Sequence, residues 1–466
     1  MDENYPLLQP NSGDNDPGDP SLEVDMRLSD PIIEKADKQL GGAEESYRKL
    51  TWPHATLIAL NGTIGFSLLV SPSAIIVLGG LLPAITTLIA VMIVSLSAAL
   101  INAWLTATKP DFLLTAQEIS LHFCGKTFSI LTEILLWPLA YTTCLSFIVL
   151  GKQQIGSILQ HLGLADTHWY TNPSVVTAGV YLVISGPLCS LPRIRHLKEA
   201  AVTAFLPVLC VISLTLAAIW IPGLRSAPED ILDPEPPDDH GAMVLNSCLR
   251  LLFLTMIQLP LISVNSELKP ANFRTFRRTA IAGVVVALLF AIALFISTDM
   301  AFGQTIANNI FLNFKGSHPA VITVIAIYTM RLALEFAIYH YMARECVITG
   351  ILRHRPGLST RTLLGIRLTH AWLYLGSNIL IGLSISNVGD IVALSGTVLV
   401  TLCLGWPPVW LVGYLFKGIY QTEAPQKKTH RTLLTGLASF LMAFAAFWFG
   451  VTLILSVRAL QRLSLH

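Results

Sequence analysis

Asn61-Gly62-Thr63-Ile64-Gly65-Phe66-Ser67, followed by Pro72, lies inside the first of eleven apolar runs that cross this chain. A helix that only had to sit in lipid would not carry Asn, two Gly, Thr, Ser and Pro along its middle. Each of these either frees a backbone group or adds a polar side chain, and hydrocarbon satisfies neither. Such a patch is tolerated where protein or a water-lined cavity surrounds it, and in transporters it marks a substrate or ion site. Thr63, Ile64, Gly65, Phe66 and Ser67 are therefore candidate substrate contacts, and Asn61 a candidate ion ligand.

Working outward, the chain is 53% hydrophobic and 13% charged, about half the charged share of a soluble domain. This places it among polytopic membrane proteins, with an all-α fold. The expected spans are 55–81, 83–107, 128–150, 174–191, 200–221, 244–264, 279–301, 320–342, 363–385, 388–416 and 433–455. Gly79-Gly80-Leu81-Leu82-Pro83 is the turn that divides the first two.

Charge placement orients the spans. Alternate segments beginning with the N-terminal one hold twenty-three Lys and Arg, against five on the other side, with Arg250 and Arg331 inside spans. The positive-inside rule puts the richer side, and so the N-terminus, in the cytoplasm, and the C-terminus in a lumen or outside. Residues 1–52 read as a disordered cytoplasmic tail, 53–460 as the transmembrane domain and 461–466 as a short far-side end.

In the tail, Glu3-Asn4-Tyr5-Pro6-Leu7-Leu8 has the form of an acidic dileucine signal, with Glu3, Leu7 and Leu8 as its determinants. Its readers would be clathrin-adaptor-type coat proteins, and its destination a lysosomal or other endomembrane, with the plasma membrane as the alternative. A chance match is the competing reading. The seven cysteines show no metal spacing, and no phosphate loop, nucleophile elbow or metalloprotease motif is present. The expectation is a non-enzyme without cofactor, resident metal or nucleic-acid partner.

The sequence resembles the amino acid/auxin permease family, most closely its sodium-coupled neutral amino acid transporter branch and the lysosomal relatives. The first run, from Asn61 to Pro72, matches the pattern Asn-x-x-x-Gly-x-[Gly/Ser]-x-Leu-x-x-Pro. Pro187-Leu188-Cys189-Ser190-Leu191, Gln258 through Asn265-Ser266-Glu267-Leu268-Lys269, and Arg331-Leu332-Ala333 follow in the family's order. The resemblance implies eleven transmembrane helices in a five-plus-five inverted repeat (LeuT-like) plus one extra helix, with helices one and six discontinuous. Thr255, Gln258 and Pro260 would supply the second interruption, making Thr255 and Gln258 substrate candidates.

Tyr141 lies on the face of the third span that the related fold turns to its site, where either substrate contact or packing explains it. The family's sodium-liganding Asn corresponds to Asn61, but its partner Thr in the eighth helix is replaced here by Tyr339-His340-Tyr341. That span instead holds Arg331, Glu335 and His340, which are expensive in lipid. Arg331 and Glu335, four apart, form either a structural ion pair or part of a coupling site. His340 is either a proton carrier or a histidine at the cytoplasmic membrane edge. The expected function is secondary active transport of amino acids by alternating access, coupled to H⁺ or Na⁺. The alternative is an amino-acid sensor of the same fold that signals through its tail.

Overall fold

The computed structural model describes residues 50–108, 115–164, 168–191, 206–226, 240–255, 257–265, 267–307, 309–355, 358–385, 388–421 and 428–463. The tail residues Glu3, Leu7 and Leu8 lie outside them. Among the described residues the chain is helical, with two isolated backbone bridges and no strand.

In chain order the helices are α1 (Trp52–Val70), α2 (Ala74–Val77), α3 (Leu81–Thr108), α4 (Ala116–Cys124) and α5 (Lys126–His161). They continue with α6 (Pro173–Cys189), α7 (Leu206–Trp220), α8 (His240–Thr255), α9 (Gln258–Asn265) and α10 (Phe273–Phe302). The last five are α11 (Pro319–His354), α12 (Thr360–Ser384), α13 (Val388–Val400), α14 (Trp406–Gln421) and α15 (Lys428–Leu463).

Among the described residues, six helical stretches are long and apolar enough to cross a membrane: Leu81–Thr108, Lys126–His161, Phe273–Thr305, Pro319–Leu352, Ser395–Phe416 and Leu434–Val457. The other five expected spans fall on shorter or more polar helices. α6 and α7 have 17 and 15 residues. The first and sixth are divided, and α12 carries Arg361, Arg367 and His370.

α1 occupies the middle of the bundle. Ala55, Ile58, Ala59, Leu60, Ile64, Leu68 and Leu69 are all buried, and α8, α9, α10 and α11 pack against it. α5 and α11 run along each other, flanked by α4, α6, α12 and α13, while α3 pairs with α10 and α15 closes over α13 and α14. Ile93, Leu289, Leu373, Leu380, Phe440 and Phe447 face outward from the rim. A hydrocarbon surround leaves such outward-facing apolar side chains at no cost.

The first helix departs from expectation. Through Asn61–Ser67 it remains helical, and the change falls at the 3-10 turn Ser71–Ser73. Asn, Gly, Thr and Ser all retain an N–H and so continue the helical ladder, whereas Pro72 cannot. The carbonyl of Leu68 that Pro72 would have engaged accepts instead from Ser71 Oγ at 3.3 Å, and Ser73 Oγ donates to the Val70 carbonyl at 2.8 Å. On the neighbouring α8, Arg250 Nη1 donates to Ser73 Oγ at 2.8 Å.

In the sixth expected span, α8 stops at Thr255 and α9 restarts at Gln258. Pro260 sits in the first turn of α9, where a missing N–H removes no helical bond. Its neighbour Ile257 fits against Gly283 of α10, where a Cβ would lie 2.3 Å from Ile257 Cδ1.

The expected Gly79-Gly80 turn is present, with φ of 83° and 131°, values that favour glycine. Between α13 and α14 the backbone widens into a π segment at Thr401–Gly405, and Trp406 N–H reaches back to the Thr401 carbonyl. Pro407 and Pro408 follow immediately and cannot donate to the turn before them.

α4 was not anticipated, because nine mixed residues carry no membrane signal. A capping box starts it: Thr115 Oγ1 accepts from Glu118 N–H at 3.2 Å, and Glu118 Oε2 accepts from Thr115 N–H at 2.9 Å. A buried hydroxyl pair, Ser120 Oγ and Thr132 Oγ1 at 2.7 Å, ties it to α5. Trp410 Nε1 donates to Ser120 and Trp406 Nε1 to Thr132.

Gly413 on α14 allows this approach, since a Cβ there would lie 2.5 Å from the Phe123 carbonyl oxygen. Backbone cannot yield as a side chain does. Gly413→Ala should therefore lower stability by about 1–3 kcal/mol, the usual cost of overpacking. Gly436→Ala on α15, which meets nothing within 4 Å, should be neutral or slightly stabilising. Thermal unfolding of the two variants in detergent compares them directly.

Candidate functional site

Where α1, α3 and α9 meet, Asn61, Ile64 and Ser67 are buried on α1. Thr63, Gly65 and Phe66 belong to the same helical stretch, and Thr255 is the last residue of α8. Gln258, the first residue of α9, is fully buried, and its Nε2 donates to both the carbonyl and the Oγ of Ser95 on α3, each at 2.9 Å. Its Oε1 has no hydrogen-bond partner among the described residues. A buried amide oxygen beside a helix interruption is suited to accept from a cationic or N–H-bearing ligand.

A second polar group runs along α11. Arg331 and Glu335, one turn apart and both buried, form an ion pair. Arg331 Nη1 also donates to Tyr328 Oη at 2.8 Å, with the guanidinium 5.0 Å from the Tyr328 ring centre. Two residues before Arg331, Thr329 Oγ1 donates to Gln154 Oε1 of α5 at 2.7 Å. Glu335 Oε2 has no hydrogen-bond partner among the described residues. The pairing reading of Arg331 and Glu335 is thus what the structure contains, and one carboxylate oxygen remains over.

His340 lies fourteen residues before His354, the end of α11, or roughly 21 Å of helix at ~1.5 Å per residue. It is fully buried, and its Nε2 meets His370 Nδ1 of α12 at 3.2 Å. Tyr374, one turn after His370, sets its ring 5.1 Å from that of His340. Tyr141 joins this cluster from α5, stacked on Trp137 at 5.1 Å and edge-on to Tyr374 at 5.3 Å. Trp137 Nε1 donates to His370 Nε2 at 3.5 Å.

The expected site residues therefore fall into two groups. Asn61, Ile64, Ser67 and Gln258 belong to the α1–α9 region, whereas Glu335, His340 and Tyr141 line the α5–α11–α12 region. Sequence reading missed His370 and Trp137. A lone imidazole within an apolar run was a legible signal, but its partner could not be chosen without the packing.

The model of the family described as transmembrane amino acid transporter protein matches residues 48–456, from just before α1 to near the end of α15. This chain belongs to that family. Sodium-coupled neutral amino acid transporter 7 of Homo sapiens is 22% identical over 409 residues, covering 85% of this chain and 86% of its own length. The Bos taurus protein of the same name is 22% identical over 370 residues, covering 77% and 78%. The amino acid transporter AVT6E of Arabidopsis thaliana is 24% identical over 384 residues, covering 78% and 75%. These relatives are transporters by name, and a family match of this extent spans both polar groups of the bundle.

Within this family member, the Arg331–Glu335 pair allows a direct measurement. Removing one partner of a buried pair leaves an uncompensated charge, at a cost of about 3–5 kcal/mol. Arg331→Met or Glu335→Met alone should lower thermal stability sharply. The double variant, apolar at both positions, should recover most of the loss.

Proposed function

We infer that this protein is a secondary active transporter that moves amino acids across a membrane by alternating access, driven by a proton gradient in preference to a sodium gradient. The family match along residues 48–456 carries the reading. The architecture proposed with it is eleven spans, arranged as a five-plus-five inverted repeat and one extra helix. Its two discontinuous helices are α1–α2, with the turn at Ser71–Ser73, and α8–α9. The amino acid would sit between the Asn61–Ser67 stretch, Thr255 and Gln258. There the start of α9 presents N–H groups to a carboxylate, and Gln258 Oε1 offers an acceptor to an ammonium.

Proton preference is supported by the eighth expected span. Where the sodium-coupled pattern has a Thr, this chain has Tyr339-His340-Tyr341, and the same helix holds Glu335 with a carboxylate oxygen to spare. Imidazole and carboxylate are groups that take and release protons. Reconstituted protein, given labelled amino acids under imposed gradients, should accumulate them with an inward pH gradient and no sodium. Gly65→Val should abolish this uptake while the protein still unfolds cooperatively. A strict sodium requirement without pH dependence would refute the coupling and return Asn61 to a sodium site.

The location proposed is a lysosomal or related endomembrane, with the N-terminus cytoplasmic and Glu3, Leu7 and Leu8 read by coat adaptors of the clathrin type. Leu7→Ala combined with Leu8→Ala should move the protein to the cell surface, seen by imaging and surface labelling. Retention of the double variant in the wild-type compartment would make the match accidental.

A further inference from the structure

The contact of His340 and His370 has a proton arrangement fixed by its neighbours. An indole N–H only donates, so the Trp137 Nε1 contact makes His370 Nε2 an acceptor. A neutral His370 then carries its proton on Nδ1 and donates it to His340 Nε2. That leaves His340 with its proton on Nδ1, a buried atom with no hydrogen-bond partner among the described residues. The opposite order would need an imidazole with no proton on either nitrogen.

With the His340–His370 contact kept, an added proton can be taken only at the lone pair of His370 Nε2, the one that accepts from Trp137. His370 is also the half-buried member of the pair, whereas His340 is enclosed. The Trp137 contact, at 3.5 Å, is the longest link in the chain.

We propose that His340 and His370 form a single proton-binding unit in which protonation at His370 Nε2 and the Trp137 hydrogen bond exclude each other. The proton adds to a lone pair, so no covalent bond breaks, and the only bond lost is the one from the indole. Trp137 is followed by Pro138, which leaves the Ile134 carbonyl without its helical partner and makes α5 easiest to bend there. Release of Trp137 therefore acts at the weakest point of a helix that packs along α11. The transport reading enters only through the link to uptake; the unit itself stands on the three side chains.

Charged and titratable groups surround the pair: Arg344 of α11 acts on both imidazoles, Tyr374 of α12 lies against both rings, and Tyr141 and Cys144 of α5 and Cys189 of α6 face Tyr374. Arg344 is itself engaged by the Cys189 and Leu191 carbonyls and by Glu345.

The test uses the whole protein in lipid nanodiscs with ¹⁵N-labelled histidine, the two signals being assigned by their loss in His340→Gln and His370→Gln. At high pH both imidazoles should be protonated on Nδ1; an Nε2–H form of His370 overturns the proposal. On acidification the pair should take up one proton together. Trp137→Phe, which keeps a ring on Tyr141 but removes the competing donor, should move that midpoint upward by roughly half to one pH unit, the worth of one neutral hydrogen bond. An unmoved midpoint overturns the proposal. In proteoliposomes, the pH dependence of uptake should move with the midpoint in Trp137→Phe. Should the wild type carry no amino acid under any gradient, the transport reading fails while the spectra still decide the proton unit.

Discussion

Hydrocarbon accepts no hydrogen bonds, and the rest of this structure depends on that constraint. Three interruptions of α-helical bonding inside the bundle, among the described residues, lie against protein. At Pro72 the replacement is a serine hydroxyl. At the α8–α9 interruption it is close packing around α1, with Ile257 seated against Gly283. At Thr401–Gly405 the ladder lengthens by one residue ahead of two prolines. These irregularities are held in the interior, while the rim consists of uninterrupted apolar helix.

The same constraint sorts the polar side chains. α11 alone buries Arg331, Glu335, His340 and Arg344. Arg331 and Glu335 share an ion pair and Arg331 also meets Tyr328, His340 meets a second imidazole, and Arg344 meets the carbonyls that end α6. α11 touches α1, α5, α6, α7 and α12. A change of charge on it is therefore felt by both the central helix and the outer layer.

How much of this was legible depended on whether the signal was local. Membrane class, the Gly79-Gly80 turn and the pairing of Arg331 with Glu335 all arise from residues at fixed short spacing, and all could be read from sequence. The helix interruption was placed too early at Asn61–Ser67, because polar residues that keep their N–H weaken a helix without ending it; only Pro72 removes a donor. α4 was invisible because its reason for existing is tertiary: Ser120 and Gln117 find partners on α14, α5 and α11.

The sequence by itself determined that this is a helical membrane protein of the amino acid transporter family, since hydropathy and motif order are properties of the linear chain. It also determined that α11 carries buried charge. Only the tertiary structure decided which groups meet. His340 and His370 are thirty residues apart, and Trp137 is more than two hundred residues from the imidazole it binds. Side chains at such separations become neighbours through helix packing alone, because helical periodicity fixes a residue's face but not which helix that face will meet.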